Sequence, residues 1–380
     1  MTTFHAIPSK SMAHRLMICA FLAGAAGTVQ CPELSRDMEA TKACLEGLST
    51  SHILPCGESG STLRFLLPVA AALGVSCDFV MEGRLPQRPL FPLDRELEGH
   101  GISLSRPKEN ILHVEGSLKP GNYTISGNIS SQFISGLLFA LPLLDGESTL
   151  TVEGALESRP YVDMTLDSLR QFSVEISETD HVFHISPSTY RSPGLVVVEG
   201  DWSNAAFWLC AGAISQPVTV TGLNPRSLQG DKAIFDLLQQ FGADCTQDGD
   251  AFTVQPGTLH GQVIDLSEIP DLAPILSVVA AFADGETRLT HAGRLRLKES
   301  DRVASILAML HAMGAEATEE GDTICITGRS TLPGGTVSSF GDHRIAMAGA
   351  IAGLRCPVTV EGKDAVQKSY PRFWEEYGRL

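Results

Sequence analysis

A run of charged residues in the second half of the chain has the composition of a proton-transfer site. Residues 294–302 read Arg-Leu-Arg-Leu-Lys-Glu-Ser-Asp-Arg, so the pair Lys298 and Glu299 lies among arginines. Neighbouring cations keep a carboxylate ionised while burial opposes ionisation, and this balance suits a group that exchanges a proton. The alternative is a solvent-exposed cluster of salt bridges, which contributes little free energy.

Cations also stand at the starts of two apolar segments in the first half. Lys10 and Arg15 could flank one anion, because lysine supplies a point charge and arginine a planar fork. Residues 57–64, Gly-Glu-Ser-Gly-Ser-Thr-Leu-Arg, include small residues that let an anion approach backbone N–H groups, although no Walker A sequence follows. Arg84 and Arg88 add two guanidinium groups. The alternatives are a solvated face, a helix cap and a surface loop.

Residues 341–344, Gly-Asp-His-Arg, place Arg344 at the start of a further apolar segment. His343 is a possible base, but a hydrogen-bonded structural histidine is the more frequent role. The arginine is therefore the more informative residue of this motif.

These motifs belong to a sixfold internal repeat. Each time, a polar or Gly-containing motif leads into an Ala/Leu-rich stretch, and a turn and a short β-type run follow. The repeats begin at Pro8, Gly57, Asn128, Gly200, Pro270 and Gly341, the last five at intervals of 70–72 residues. Amphipathic helices are predicted at 232–242 and 302–314. The pattern predicts an α/β protein with two domains of three units, divided near residues 198–201.

Each polar motif precedes a helix whose apolar character predicts burial. Free N–H groups and the helix dipole favour anions at such positions. If the buried helices of one domain run parallel, their motifs share one face. Ordinary N-caps are the alternative for any single motif.

Composition restricts the classes of partner. The chain has 380 residues and a formal net charge of −16, so its surface as a whole repels nucleic acid and anionic membranes. Nine cysteines without a C-x-x-C pair argue against a disulfide framework or a zinc site and favour a reducing cytoplasm. Residues 16–26 resemble the apolar part of a secretory signal, but the same pattern recurs in the other five repeats. We therefore interpret this segment as a helix of the fold.

Taken in order, the motifs resemble those of EPSP synthases. They are P-S-K-S-x-x-x-R from Pro8, G-x-x-G-[ST]-x-x-R from Gly57, R-P at 88–89, S-S-Q at 130–132, S-R-P-Y at 158–161, G-D at 200–201, P-D at 270–271, R-x-K-E-S-D-R at 296–302, G-D-H-R at 341–344 and K-S at 368–369. The related UDP-N-acetylglucosamine enolpyruvyl transferases normally carry Lys-Asn in the first motif, where Lys10 and Ser11 stand here.

The resemblance implies a two-domain inside-out α/β barrel of six βαβαββ units, three per domain, around a hinged cleft. Residues 8–198 would form the first domain, and residues 1–7 plus 199–380 the second. The implied enzyme acts in the shikimate pathway to aromatic amino acids. It transfers the enolpyruvyl group of phosphoenolpyruvate to the 5-hydroxyl of shikimate 3-phosphate and releases phosphate, and glyphosate occupies its phosphoenolpyruvate site. The alternatives are an enolpyruvyl transferase for another acceptor, such as UDP-N-acetylglucosamine, and a non-catalytic anion-binding homologue.

Carried over residue by residue, the resemblance implies two substrate sites. The shikimate 3-phosphate site would consist of Lys10, Ser11, Arg15, Ser130, Ser131, Ser158, Tyr161, Asp271 and Lys298. The phosphoenolpyruvate site would consist of Lys10, Gly60, Arg88, Gln132, Arg302, Arg344 and Lys368. Five of these last seven residues are cationic, which suits a substrate that carries a phosphate and a carboxylate.

The implied reaction is an addition followed by an elimination. Asp271 is the candidate base toward the hydroxyl and Glu299 the candidate acid toward the methylene, while Lys298 and Lys10 would stabilise charge. No metal or organic cofactor is expected, because phosphate held by cations is already a good leaving group. The resemblance also implies a cytoplasmic monomer without nucleic-acid or membrane partners. Glu58 departs from the family, which usually has Asn at this position.

Overall fold

A computed structural model describes all 380 residues, which form twenty strands and twelve α-helices. The strands are β1 Thr2–His5, β2 Val29–Gln30, β3 Ile53–Gly57, β4 Cys77–Met81, β5 Ile102–Lys108, β6 Ile111–Gly116, β7 Asn122–Ser126, β8 Ser148–Glu153, β9 Ser177–Thr179, β10 Val182–Ile185, β11 Val196–Val197, β12 Val218–Thr221, β13 Asp244–Asp248, β14 Ala251–Gln255, β15 Val263–Asp265, β16 Glu286–Thr290, β17 Glu316–Glu320, β18 Thr323–Thr327, β19 Gly335–Ser338 and β20 Val358–Glu361. The helices are α1 Lys10–Leu22, α2 Arg36–Ser49, α3 Gly60–Ala72, α4 Leu93–Gly99, α5 Ser131–Ala140, α6 Arg159–Gln171, α7 Trp202–Ile214, α8 Ile234–Phe241, α9 Ala273–Ala281, α10 Arg302–Ala312, α11 His343–Ala352 and α12 Phe373–Tyr377.

The chain divides into two compact units. One contains residues 10–198, and the other, which we call the discontinuous unit, contains residues 1–9 and 199–380. The division falls two residues later than expected at the N-terminus, because the Ser9 N–H donates to the Glu199 carbonyl (2.8 Å) and the Ser9 hydroxyl donates to Gln229 (3.1 Å). Each unit has its own apolar core.

Each unit contains two four-stranded sheets and one two-stranded sheet. The four-stranded orders are β3-β4-β6-β5 and β7-β8-β10-β9 in the 10–198 unit, and β1-β12-β14-β13 and β15-β16-β18-β17 in the discontinuous unit. In each of them the first two strands are parallel and the other two form an antiparallel hairpin, as in β3-β4-β6-β5. This mixed α/β arrangement is the predicted fold class.

Two repeats are smaller than the pattern predicts. Sheets β2–β11 and β19–β20 have two parallel strands and no hairpin. The first repeat begins only 49 residues before the second, which leaves no room for a hairpin. After β20 the chain forms a 3-10 helix, Lys363–Lys368, and then α12.

The N-terminal strand belongs to a sheet formed much later in the chain. Strand β1 pairs in parallel with β12, with Thr2 opposite Val218 and His5 opposite Thr221. This pairing is why residues 1–9 join the discontinuous unit rather than the residues that follow them.

The helices that open the repeats are buried, as their apolar character predicts. Every residue of α7, α9 and α11 is buried. Helices α3 and α5 approach so closely that a Cβ on Gly136 would overlap the Arg64 carbonyl oxygen. None of the helices has the length and apolarity needed to cross a membrane.

Candidate active site

Side-chain hydrogen bonds join the first two turns of α1, α5 and α6 in the 10–198 unit. Arg15 Nε donates to the Thr165 hydroxyl (2.9 Å), which also pairs with the Ser135 hydroxyl (2.7 Å). Each of these residues lies within seven residues of the start of its helix. The three helix starts therefore lie side by side.

A second chain of hydrogen bonds joins the first two turns of α1, α2 and α3. The His14 ring Nδ1 pairs with the Thr41 hydroxyl (2.6 Å), which pairs with the Thr62 hydroxyl (2.6 Å). Arg64 of α3 donates to the Gln132 side chain of α5 (2.7 Å). The starts of α1, α2, α3, α5 and α6 therefore lie close to one another within this unit.

Arg15 is itself one of these connections. It is 2% exposed, and its Nη1 and Nη2 donate to the Ser11 carbonyl (2.6 Å) and the Tyr161 carbonyl (2.8 Å). Burial lowers the pKa of its guanidinium to about 10. In the structure it connects α1 to α6, and its expected role in binding a phosphate stays a prediction.

Lys10 stands at the start of α1 and forms an ion pair. Its Nζ lies 2.7 Å from Asp37 Oδ2, in the first turn of α2, and both side chains are 14% exposed. The pair brings the starts of α1 and α2 together and neutralises a cation that sequence analysis expected to bind an anion.

Gly60 and Arg88 touch each other. Gly60 begins α3, and a Cβ there would lie 2.6 Å from Arg88 Nη1. The missing side chain thus lets a guanidinium lie against the helix N-terminus. The Glu58 carboxylate lies beside Gly83, five residues before Arg88, since a Cβ on Gly83 would overlap it.

The remaining candidates of this unit surround the starts of α5 and α6. Ser130 caps α5 by accepting the Gln132 N–H (3.3 Å), and Ser131 is buried. Ser158 precedes α6 in the left-handed conformation with φ 56°, which costs free energy in a non-glycine residue and often marks a functional position. Tyr161 lies in the first turn of α6, with its ring centroid 5.9 Å from the Arg15 guanidinium.

In the discontinuous unit the candidates converge on Arg302, whose side chain is 1% exposed. Its Nη1 donates to Asp271 (2.8 Å), its Nη2 to Glu299 (2.7 Å) and its Nε to Asp342 (2.8 Å). These three carboxylates outweigh the effect of burial and hold the pKa of Arg302 well above its usual value. The guanidinium is therefore fixed in position and permanently charged.

Asp271 has the complementary environment. Its carboxylate accepts from Arg302 Nη1, from Lys298 Nζ (3.2 Å) and from Arg344 Nη2 (3.0 Å). Burial by itself raises the pKa of Asp271, but Arg344, Lys298 and Arg302 together hold it well below the usual range. One carboxylate thus lies where three cations meet, which is a geometry that fits an oxyanion.

The two lysines of this unit are also held. Burial lowers the pKa of Lys298, and Asp271 partly offsets this effect. Lys368 Nζ donates to the Gly341 carbonyl (2.7 Å), directly before α11. The roles expected of Lys298 and Lys368 in binding the two substrates stay predictions.

Three carboxylates that lie close to the predicted site residues were not themselves predicted from the sequence. Asp37 pairs with Lys10 and Asp342 with Arg302, and both occupy helix starts, which was the available signal. Asp231 is buried beside α7, where its carboxyl accepts from the Ser203 hydroxyl. Nothing in the sequence distinguishes Asp231 from a surface aspartate.

Comparison with known proteins gives consistent matches. A sequence model of the family described as EPSP synthase (3-phosphoshikimate 1-carboxyvinyltransferase) matches residues 49–377. A 3-phosphoshikimate 1-carboxyvinyltransferase from Clostridium acetobutylicum is 41% identical, with 98% of this chain and 93% of the relative covered. One from Clostridium kluyveri is 39% identical with the same coverage.

Solved structures resemble the fold over almost its whole length. The EPSP synthase of Acinetobacter baumannii matches with a TM-score of 0.78 at 25% identity, covering 99% of this chain and 95% of that one. An enolpyruvyl transferase from Streptomyces tendae matches with a TM-score of 0.75 at 17% identity, covering 100% and 94%. The second likeness concerns the fold alone.

Asp231 makes stability depend on pH. Burial, then the negative charge of Asp271, raises its pKa to about 6, against the opposing effects of Arg344 and Ser203. The folded chain therefore holds the Asp231 proton more tightly than the unfolded chain does. The contribution of protonated Asp231 to the free energy of unfolding is lost as the pH rises from about 4 to about 6. We expect Asp231→Asn to raise the melting temperature at pH 8 and to have less effect at pH 4.5.

Thermal unfolding at the two pH values measures this difference. Asp248→Asn, at an exposed position, is the control and should shift the melting temperature equally at both. An equal shift for Asp231→Asn at pH 8 and pH 4.5 would contradict the argument.

Proposed function

We propose that this chain, which belongs to the EPSP synthase family, transfers the enolpyruvyl group of phosphoenolpyruvate to the 5-hydroxyl of shikimate 3-phosphate. Relatives named for this activity match it over 98% of its length. The observation that carries the proposal is the convergence of Lys298, Arg302 and Arg344 on the Asp271 carboxylate. Three cations around one oxyanion position suit a substrate with a phosphate and a carboxylate.

For phosphoenolpyruvate we propose seven binding residues, in two groups. Lys10, Gly60, Arg88 and Gln132 belong to the 10–198 unit, and Arg302, Arg344 and Lys368 to the discontinuous unit. The contact between Gly60 and Arg88 supports the first group, since it brings a guanidinium to the free N–H groups of α3. The three carboxylate partners of Arg302 support the second group, because they orient the guanidinium.

For shikimate 3-phosphate we propose Lys10, Ser11, Arg15, Ser130, Ser131, Ser158, Tyr161, Asp271 and Lys298. Hydroxyl groups and N–H groups at helix starts suit the phosphate and hydroxyl groups of this acceptor. Arg15 would act chiefly by holding the Tyr161 backbone and thereby the start of α6.

The proposed reaction has two stages. Asp271 accepts the proton of the 5-hydroxyl as its oxygen attacks the enol carbon, and Glu299 donates a proton to the methylene. The carbon–oxygen bond to phosphate then breaks, phosphate leaves with the bonding electrons, and loss of a methyl proton restores the double bond. Lys10 and Lys298 stabilise the developing charge.

The charge distribution bears on both proton transfers. Asp271 is a weak base while Arg302, Arg344 and Lys298 hold its pKa down, so the anionic substrates must draw these cations toward themselves. Asp271, Glu299 and Asp342 surround one guanidinium. The ion pair with Arg302 fixes the position of the Glu299 carboxyl group, which we propose as the acid.

The remaining expectations belong to the same proposal. The reaction requires no metal or organic cofactor, and we propose a monomer in the cytoplasm without nucleic-acid or membrane partners. All nine cysteines are free thiols, which suits a reducing compartment. The net charge of −16 disfavours nucleic acid.

Phosphate release tests the function. The purified protein is incubated with phosphoenolpyruvate and either shikimate 3-phosphate or UDP-N-acetylglucosamine. Release only with shikimate 3-phosphate is expected. Release with the UDP-sugar would support the alternative acceptor, and no release with either would support a non-catalytic homologue.

The candidate acid and base can be separated from binding. Asp271→Asn and Glu299→Gln keep the size of each side chain and remove its ability to exchange a proton. We expect each to lower the turnover about 10²–10⁴-fold, measured at saturating substrate. Retention of more than about a tenth of wild-type turnover in either variant would refute the role assigned to that residue.

Gly60 should determine sensitivity to glyphosate. A methyl at this position would lie 2.6 Å from Arg88 Nη1 and must displace the guanidinium, which narrows the space beside α3. Glyphosate is longer than phosphoenolpyruvate, so Gly60→Ala should raise its inhibition constant far more than the KM for phosphoenolpyruvate. Steady-state inhibition kinetics measure both values. Glu58→Asn is the comparison variant and should change the inhibition constant and the KM only slightly. If Gly60→Ala raises the inhibition constant and the KM equally, Gly60 does not line the anion site.

A further inference from the structure

Asp342 joins the starts of two helices in the discontinuous unit. It precedes α11, its side chain is 0% exposed, and its Oδ1 accepts the Arg344 N–H (2.9 Å) as the helix cap. Its Oδ2 accepts from Arg302 Nε (2.8 Å) and from the Ser300 hydroxyl (3.2 Å). Ser300 and Arg302 lie at the start of α10. One buried carboxylate therefore sets the position of α10 relative to α11.

The two arginines held by Asp342 face a common point. Arg302 Nη1 donates to Asp271 Oδ1 (2.8 Å), and Arg344 Nη2 donates to Asp271 Oδ2 (3.0 Å). Each arginine thus meets a different oxygen of one carboxylate. Their spacing matches a bidentate oxyanion, and Asp342 contacts both arginines.

Lys368, the third phosphoenolpyruvate candidate of this unit, contacts Gly341, the residue before Asp342. Lys368 Nζ donates to the Gly341 carbonyl (2.7 Å). Residues 341 and 342 thus contact all three cations assigned to phosphoenolpyruvate in this unit. A displacement of this segment would move the three cations relative to one another.

We propose, on the basis of the function proposed above, that Asp342 is the positioning residue that holds Arg302 and Arg344 at the separation phosphoenolpyruvate requires. It acts through the arginines and has no part in the proton transfers. Its carboxylate is required because it supplies two acceptor oxygens, one for the helix cap and one for Arg302 Nε. An asparagine has one acceptor oxygen, and its NH₂ group would face the Nε–H donor of Arg302.

Asp342→Asn is therefore the informative substitution. Asparagine caps helices as well as aspartate does, so α11 should still begin at residue 343, whereas Arg302 loses its Nε acceptor. We expect kcat/KM for phosphoenolpyruvate to fall about 10–100-fold, because a displacement of about 1 Å in a binding group can cost up to about 10²-fold.

Asp301→Asn is a matched control. Asp301 caps α10 by accepting the Ala304 N–H (3.1 Å) and accepts from Arg296 (2.7 Å), whose side chain is 40% exposed. The substitution thus also keeps a cap and removes an arginine partner, but away from the buried cluster. Its kcat/KM should stay within about twofold of wild type, since exposed pairs contribute little.

A double-mutant cycle tests whether Asp342 acts through Arg302. Lysine has no Nε–H fork, so Asp342→Asn should lower kcat/KM by less than about threefold when introduced into Arg302→Lys, because the two changes then remove the same interaction. The full 10–100-fold loss in both backgrounds would mean that Asp342 acts by another route and would overturn the proposal. Wild-type activity in Asp342→Asn would overturn it as well.

A crystal structure of Asp342→Asn gives a second result that does not depend on activity. The expected outcome is an α11 that still starts at residue 343 and an Arg302 guanidinium displaced from residue 342. An unmoved guanidinium would refute the proposal, even if phosphate-release assays show that wild type does not use phosphoenolpyruvate. Failure of the proposed function appears in the wild-type assay, and failure of this inference appears in the variant structure.

Discussion

A guanidinium buried in a protein interior needs acceptors for its N–H groups, and carboxylate partners also neutralise its charge, because an unpaired buried charge is strongly destabilising. Arg302 meets this requirement with Asp271, Glu299 and Asp342. Asp271 precedes α9, Asp342 caps α11, and Arg302 itself begins α10. Neutralising one buried cation therefore brings three helix starts together, and Lys298 and Arg344 meet the same Asp271 carboxylate.

In the 10–198 unit the helix starts are joined mostly by neutral groups. Hydroxyls of Thr41, Thr62, Ser135 and Thr165 link neighbouring helices near their starts, and Arg15 donates to the Thr165 hydroxyl. Hydroxyls both donate and accept hydrogen bonds, so they satisfy one another without ionic partners. The two units share a repeat, but the side chains that join their helix starts are mostly neutral in the 10–198 unit and mostly charged in the discontinuous unit.

Local compensation explains how a chain with a net charge of −16 can be suited to an anionic substrate. Lys10 lies against Asp37, and Lys298, Arg302 and Arg344 lie against Asp271. A substrate anion has to compete with these carboxylates for their cations. Such competition disfavours weakly fitting anions, because only a ligand that reaches several cations together compensates for the displaced ion pairs.

Much of this could be inferred without coordinates. The sixfold repeat, the buried helices, the α/β class and the cations at helix starts follow from apolar periodicity and from residue types that are close in sequence. The pairing of those cations could not be inferred. Asp342 lies 40 residues from Arg302, and Thr165 lies 150 residues from Arg15. Arg15 and Arg302 look alike as arginines at helix starts, but one connects helices and the other organises a charged cluster. That distinction depends on which helix starts meet in the folded chain, because the free energy of a buried charge is determined by the groups packed around it.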